Sequence, residues 1–339
     1  MGGEDFDRRT GPYRPELLAH CYRMLGSVHE AEDLVQETLL RAWRAFDRYD
    51  DRRASLRTWL HRIATNACLT ALRGRAHRPL PSDFVAPNPD PEAPMVVGEV
   101  PWLQPLPDAL LDPATVVAAR GSLRLALVAA MQLLPPRQRA ILILREALDW
   151  STAEIAEALD TTPAAVNSGL QRARARLGAV AVREEQVAEP ADPQQRALLD
   201  RYVTAFQRAD IAALTRLLTD DAVLEMPPVL NWYVGRERYG RFIARILALR
   251  GTDWRMLPTA ANGQPALAAY VRDGDAYLPH TVQVFTVSGG RISRTVVFQD
   301  PAVFTAFGLA PLPADGQPTG STRVPPPLIE RVTFFPLDQ

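Results

Sequence analysis

The chain has 339 residues, a formal net charge of −1 and a hydrophobic content of 47%. That length suffices for two or three globular domains, and the composition excludes a disordered or fibrous chain. No apolar run is long enough to span a membrane, and the start, MGGEDFDRRTGPYRPE, lacks the apolar segment of a signal peptide, so a cytoplasmic protein is expected.

All 38 cations are arginine. Cys21 and Cys68 stand apart, with no CxxC and no His/Cys cluster, and read as small core residues; no metal and no cofactor is expected. Charge is unevenly spread. Residues 1–80 carry 14 Arg against 11 Asp/Glu, residues 81–119 six acids and no Arg, and residues 120–183 nine Arg against five acids. Two basic modules thus flank an acidic segment.

Residues 1–12 read as a loose tail. From Tyr13, Leu17, Leu18, Cys21, Tyr22 and Leu25 make a short amphipathic helix that stops near Gly26. A second helix has Ala31, Leu34, Val35, Thr38, Leu39, Ala42, Trp43 and Phe46 at three-and-four spacing. Its other face carries Glu32, Asp33, Gln36, Glu37, Arg41 and Arg44, with Leu40 among them. An apolar residue ringed by polar groups suits contact with a partner's helix, although single exposed apolar residues are also ordinary. Asp47–Ala54 is a polar loop with Arg48, Arg52 and Arg53. Ser55 then caps a third helix with Leu56, Trp59, Leu60, Ile63, Ala64 and Ala67 inward. Arg62, Thr65, Asn66, Leu69, Thr70 and Arg73 line its other side, a hydrogen-bonding patch with a basic end, which suits base edges and phosphates.

Residues 79–113 hold ten of the 30 prolines, so a long helix cannot form there. Phe84, Met95, Val96, Val97, Trp102 and Leu103 interrupt this acidic linker. They allow it to lie along a groove; a solvated spacer fits equally well. Val116 to Leu134 reads as one helix, ended by Pro135-Pro136, and Arg137–Leu148 as the next. Ser151 and Glu154 form a capping box before Ile155, Ala156 and Leu159. Asp160-Thr161-Thr162 is a turn, with Thr162 as N-cap and Pro163 at the first helical position. The last helix turns Val166, Leu170, Ala173 and Leu177 inward. A short helix, a tight turn and a second helix make a helix-turn-helix. Ala164, Ala165, Asn167, Ser168 and Gln171 would enter a major groove, while Arg172, Arg174 and Arg176 suit phosphates. A helical hairpin with a solvated Arg-rich face is the plainer alternative.

After an acidic connector at 181–194 the pattern changes. Helices over Leu198–Phe206 and Ile211–Leu218 precede a strand at Ala222–Met226, a helix at Tyr239–Leu247 and strands near 253–257, 266–271, 281–288 and 291–299. Gly289-Gly290 joins the last two as a hairpin. This is an α+β pattern.

DLVQETLLRAW at Asp33–Trp43, followed by RTWLHRIATNACLTALR at Arg57–Arg73, resembles region 2 of an extracytoplasmic-function (ECF) sigma factor of bacterial RNA polymerase. LPPRQRAILILREALDWSTAEIAEAL followed by TPAAVNSGLQRARARL resembles sigma region 4. LLTDDAVLEMPP at Leu217–Pro228, WYVGRE at Trp232–Glu237 and VFTVSGGRISRTVVFQDP at Val284–Pro301 resemble a SnoaL-like domain, a curved-sheet cone fused to certain ECF sigma factors. The resemblance implies a multidomain chain. Two all-α modules at 13–78 and 115–180 are joined by the Pro-rich linker 79–114, and an α+β cone domain at 195–310 and a Pro-rich tail at 311–339 follow.

It further implies that Asp33, Gln36, Glu37, Leu40 and Arg41 face the polymerase clamp helices, with the flap region as a further contact. The −10 promoter element would meet Arg48, Arg52, Arg53, Arg62, Asn66 and Arg73, and the −35 element the helix from Ala164 to Arg176. In the family the linker threads the RNA-exit region. The expected function is promoter-specific initiation with core polymerase and promoter DNA as partners. The cone domain would modulate it, with room for a small ligand in its pocket. Competing readings are a stand-alone helix-turn-helix regulator and a SnoaL-type isomerase or cyclase fused to DNA-binding helices. For the latter, Asp221, Glu225, His280 and Asp300 are the candidate acids and bases, and Trp232, Tyr233, Trp254, Tyr277 and Phe285 the candidate lining. Catalysis is not the expectation, because no pair among the four has a diagnostic spacing.

Overall fold

The computed structural model describes residues 3–75, 77–184 and 193–314. The apolar residues of the tail, Leu328 to Phe335, and most of the acidic connector lie outside them. The chain forms two compact units, residues 1–78 with 106–185 and residues 79–105 with 186–339.

The first unit is all-α. Helix α1 (Gly3–Thr10) stands where a loose tail was expected. Its anchor is Phe6, 4% exposed, set edge-on to Trp43 at 5.2 Å and Phe46 at 5.1 Å. One aromatic in a polar stretch leaves no period to read, yet acids at its start and arginines at its end suit the helix dipole. Next come α2 (Arg14–Leu25), α3 (Val28–Ala45) and α4 (Leu56–Ala71). Ser27 and Ser55 cap the latter two by accepting from Glu30 N and Thr58 N. Gly26, at φ 68°, ends α2 in the left-handed region that glycine adopts freely.

The single helix expected over 116–134 is two, α5 (Pro113–Leu123) and α6 (Leu125–Gln132), broken at an extended Arg124. Gly121 and Ser122, poor helix formers, precede the break. Helices α7 (Pro136–Glu146), α8 (Thr152–Ala158) and α9 (Pro163–Glu184) complete the unit. The two modules pack together. Arg139 of α7 is 2% exposed and donates to Met24 O, Gln132 Oε1 (2.6 Å), Gln132 O (2.8 Å) and Leu134 O (3.1 Å), while Gln132 Nε2 donates to Arg23 O at 3.1 Å.

The second unit opens its C-terminal part with α10 (Pro193–Gln207) and α11 (Ile211–Arg216). Strands β1 (Leu218–Met226) and β2 (Val229–Val234) follow, then α12 (Arg236–Arg250), β3 (Trp254–Ala261), β4 (Gln264–Asp273), β5 (Ala276–Ser288), β6 (Arg291–Phe298), a short α13 (Pro301–Ala306) and β7 (Leu312–Pro313). The sheet order is β2-β1-β6-β5-β4-β3, with β7 beside β5; β1 and β6 run parallel and the other pairs antiparallel. Strand β2 escaped the sequence reading because Asn231 breaks its apolar alternation. It is nonetheless 6% exposed, because its amide serves the linker.

The linker does not hang free. Over 79–105 it belongs to the cone unit. Val97 bridges Val229 antiparallel on β2, with Leu230 N donating to Val96 O at 2.7 Å and Gly98 N to Pro228 O at 2.9 Å. Asn231 accepts from Val96 N at 2.8 Å and donates to Pro94 O at 3.2 Å. Arg245 of α12 donates to Pro91 O and Ala93 O, and the Trp232 indole to Val85 O. Ser82 N donates to Glu225 Oε2 at 3.1 Å, and Arg294 reaches both Ser82 Oγ and Glu225 Oε1. Proline is tolerated throughout because the strap binds largely through carbonyls, which proline keeps.

Buried histidines set an acid limit. His61 bonds Arg57 O through Nδ1 at 2.9 Å, and burial lowers its pKa to about 4; burial first, then Arg250, lowers that of His280 to about 3. Each is neutral when folded and takes a proton more readily when unfolded, so the stability is full above about pH 6.5 and is lost as pH falls towards 4. The expected loss is up to about 1.4 kcal/mol per pH unit for each histidine. Denaturant midpoints between pH 6.5 and 5, above the carboxylate range, measure it; a flat profile there contradicts this account.

Candidate nucleic-acid and polymerase interface

On α3, the inward residues Ala31, Val35, Thr38 and Ala42 are buried, which turns Asp33, Gln36, Leu40 and Arg41 to the surface, with Glu37 partly so. Leu40 is 43% exposed, and Glu37 and Arg41 pair at 2.7 Å along the helix. The five residues form one stripe: two carboxylates, an amide and a guanidinium, with an apolar residue in their midst. Trp43, read as inward, is 41% exposed and covers α1 with one edge.

The loop after α3 is held by aromatics. Tyr49 stacks on Phe46 at 5.8 Å and meets Trp59 at 5.0 Å, and its hydroxyl donates to Ala54 O at 3.1 Å. Arg48, Arg52 and Arg53 are thereby presented outward. On α4, Arg62, Asn66 and Thr70 form one exposed row, four residues apart, and Arg73 is exposed in the turn just past the helix end. Thr65 does not belong to it. It is 1% exposed and bonds His20 Nε2 at 2.9 Å and His61 O at 2.7 Å. Arg62 is engaged by a residue the sequence did not single out: Glu157 of α8, at 2.9 Å.

In the helix-turn-helix, Ser151 and Glu154 close the capping box, and Asp160 takes φ 48° in the turn. Thr162 Oγ1 accepts from Ala165 N at 3.2 Å, capping α9. Ala164, Ala165, Asn167, Ser168, Gln171, Arg172, Arg174 and Arg176 are all exposed, opposite Val166, Leu170 and Ala173. Gly169 faces inward, where an added Cβ would lie 2.8 Å from Ile141 Cδ1, so glycine brings α9 close onto α7. Arg174 is paired with Glu146 of α7.

Among the described residues no hydrogen bond or ion pair joins any two of the candidate acids and bases of the cone domain. Asp221 is exposed, and Asp300 caps α13 through Ala302 N at 2.8 Å. Glu225 is fully buried and ion-paired with Arg294. His280 lies edge-on to Trp254 at 5.0 Å, beside Gln299. The interior holds a buried chain of hydroxyls instead. Tyr202 meets Tyr239 and Gln283 at 3.2 Å each, and Tyr239 donates to Thr295 at 3.0 Å; burial raises both tyrosine pKa values. Of the expected lining, Tyr233 and Phe285 are core residues, Trp232 binds the linker and Tyr277 bonds Asp253.

Residues 11–78 match Sigma-70 region 2, residues 124–177 match Sigma-70, region 4, and residues 199–295 match the SnoaL-like domain family. The chain is 50% identical over 311 residues to the ECF RNA polymerase sigma factor SigG of Mycobacterium tuberculosis, covering 90% of this chain and 84% of that one. The chain belongs to the ECF RNA polymerase sigma factors. This sigma factor is also 28% identical over 321 residues to SigJ of the same organism, covering 91% of this chain and 96% of SigJ. The crystal structure of M. tuberculosis SigJ shares its fold, with a TM-score of 0.61 and 23% identity over 88% of this chain and 98% of that one.

The sigma factor binds core RNA polymerase and directs promoter-specific transcription initiation. The basic exposed faces are therefore those of a DNA-binding subunit. Among the described residues no helix is long and apolar enough to cross a membrane.

Proposed function

We propose that the sigma factor works in the cytoplasm and that the SnoaL-like domain modulates it by holding the linker. The observation that carries this is the strap, from Ser82 to Gly98, hydrogen-bonded onto β2 and α12. A linker bound there is not available to polymerase. The cone domain acts as a scaffold for the strap and not as an enzyme. Glu225 is spent on Arg294 and Ser82, Asp300 on a helix cap, and His280 is too acidic when buried to serve as a base near neutral pH.

Run-off transcription with core polymerase tests this. Asn231→Ala removes two linker bonds and should raise promoter-specific product several-fold while hastening proteolysis of the linker. Unchanged transcription in this variant and in protein lacking residues 195–339 would overturn the modulating role.

The α3 stripe of Asp33, Gln36, Glu37, Leu40 and Arg41 is assigned to the clamp helices, and region 4 to the flap region as well as the −35 element. Asp33→Ala with Glu37→Ala should weaken core polymerase binding about tenfold, the size of a hot-spot loss, at unchanged helicity. Undiminished co-purification would contradict the assignment.

Arg48, Arg52, Arg53, Arg62, Asn66 and Arg73 are assigned to the −10 element. On α9, Ala164, Ala165, Asn167, Ser168 and Gln171 are assigned to −35 bases and Arg172, Arg174 and Arg176 to phosphates. Gln171→Ala should cost about 1–3 kcal/mol of discrimination at one −35 position. Arg172→Ala should weaken all sequences alike and reduce the salt slope by about 1. Binding titrations of holoenzyme on −35 variants separate the two effects, and equal behaviour of both variants would remove the division.

A further inference from the structure

Where α2 meets the region 4 helices, a half-open cavity of about 560 Å³ remains. Leu127, Met131, Leu142, Ile143 and Leu177 form its body, and Arg23 of region 2 its one buried charge. The volume falls within the usual range of small-molecule sites. Glu146 and Arg174 stand in its wall as well, but both are exposed and paired with each other.

Arg23 is the anomaly. It is 3% exposed, and its Nε has no hydrogen-bond partner among the described residues. Burial alone lowers its pKa to about 10, with no carboxylate opposing the shift. The hydrogen bonds that join the two modules here do not use its guanidinium. Gln132 binds the Arg23 carbonyl, and Arg139 takes the neighbouring helix-end carbonyl. A buried cation without a partner is costly, and an anion delivered to it would remove that cost. Apolar walls exclude a nucleotide or sugar phosphate and leave room for a hydrocarbon.

We propose that this cavity binds a medium-chain fatty acid or a similar amphipathic carboxylate, the carboxylate on Arg23 and the chain among Leu127, Met131, Leu142, Ile143 and Leu177. Arginine meets a carboxylate through paired, charge-assisted hydrogen bonds, so the head group is selected as well as neutralised. Because Arg23 belongs to region 2 and the other walls to region 4, the ligand favours the packed form of the two modules. By linkage it opposes any partner that must separate them.

Calorimetric titration of the full-length protein with dodecanoate, below its micelle concentration, tests the proposal, with dodecanol as the neutral match. Dodecanoate should fill one site at least about tenfold more tightly than dodecanol, as a charged hydrogen bond requires. Arg23→Met should abolish that preference. Leu127→Trp, which sets an indole into the body of the cavity where the chain would lie and leaves Arg23 in place, should abolish binding of both and serves if the first variant misfolds. Dodecanoate should reduce core polymerase co-purification for the wild type and not for Leu127→Trp. Equal affinity for acid and alcohol, or undiminished binding by Leu127→Trp, would overturn the site. No binding of dodecanoate, together with weaker polymerase binding by Leu127→Trp, would overturn it in favour of a groove for a partner protein. Equal loss of polymerase in both proteins would overturn the coupling to module packing.

Discussion

The Arg139 guanidinium is the joint on which the helical unit depends. It is buried without a carboxylate and held by four acceptors, Met24 O, Gln132 Oε1, Gln132 O and Leu134 O. Three of these are carbonyls at or just past the ends of α2 and α6, where a helix leaves acceptors unused and carries its negative pole. Bringing two such poles together would be repulsive. One cation between them turns the repulsion into a seam, and desolvation accordingly draws its pKa down to about 10. Losing this side chain would leave buried carbonyls bare at about 1–3 kcal/mol each, so the packing of region 2 on region 4 rests on it more than on any surface ion pair.

That seam joins the two modules to which the promoter contacts are assigned. Residues assigned to the −10 element and to the −35 helix are carried on modules that touch, and Arg62, from the first set, is held by Glu157 of the helix-turn-helix. An exposed pair of this kind is weak, on the order of 0–1 kcal/mol, so it yields readily to a phosphate. The seam supplies the real resistance to separation. The strap from Ser82 to Gly98 is itself part of the peptide that joins the two modules, and the cone unit holds it.

The sequence was most legible where apolar periodicity was long. The exposed stripe of α3, the row on α4 and the outward residues of α9 all follow from helix spacing once the buried set is recognised, and the structure turns them outward. Thr65 was misplaced because a threonine on a helix looks polar, whereas here its hydroxyl serves His20 and the His61 carbonyl. Helix α1 and strand β2 were missed because each depends on a contact with a distant segment: Phe6 against Trp43 and Phe46, and Asn231 against the linker. The apolar residues of the linker left a groove-bound path open alongside a solvated one, but not the surface that binds it. Backbone carbonyls make most of its bonds, and every residue has one. Arg139 could have been noticed, since it stands four residues before Ile143 on an otherwise apolar stripe.

The strap is not equally easy to undo at its two ends. At Val96–Gly98 it pairs with an outer strand of the sheet, whose backbone groups water can satisfy once the segment lifts. At Ser82 it completes the surroundings of Glu225, a carboxylate with no solvent exposure that also pairs with Arg294, so departure there gives up a hydrogen bond to a charged acceptor. The two ends of the strap are therefore held differently, by neutral backbone pairing on the side that leads to region 4 and by a charged acceptor where the chain leaves region 2.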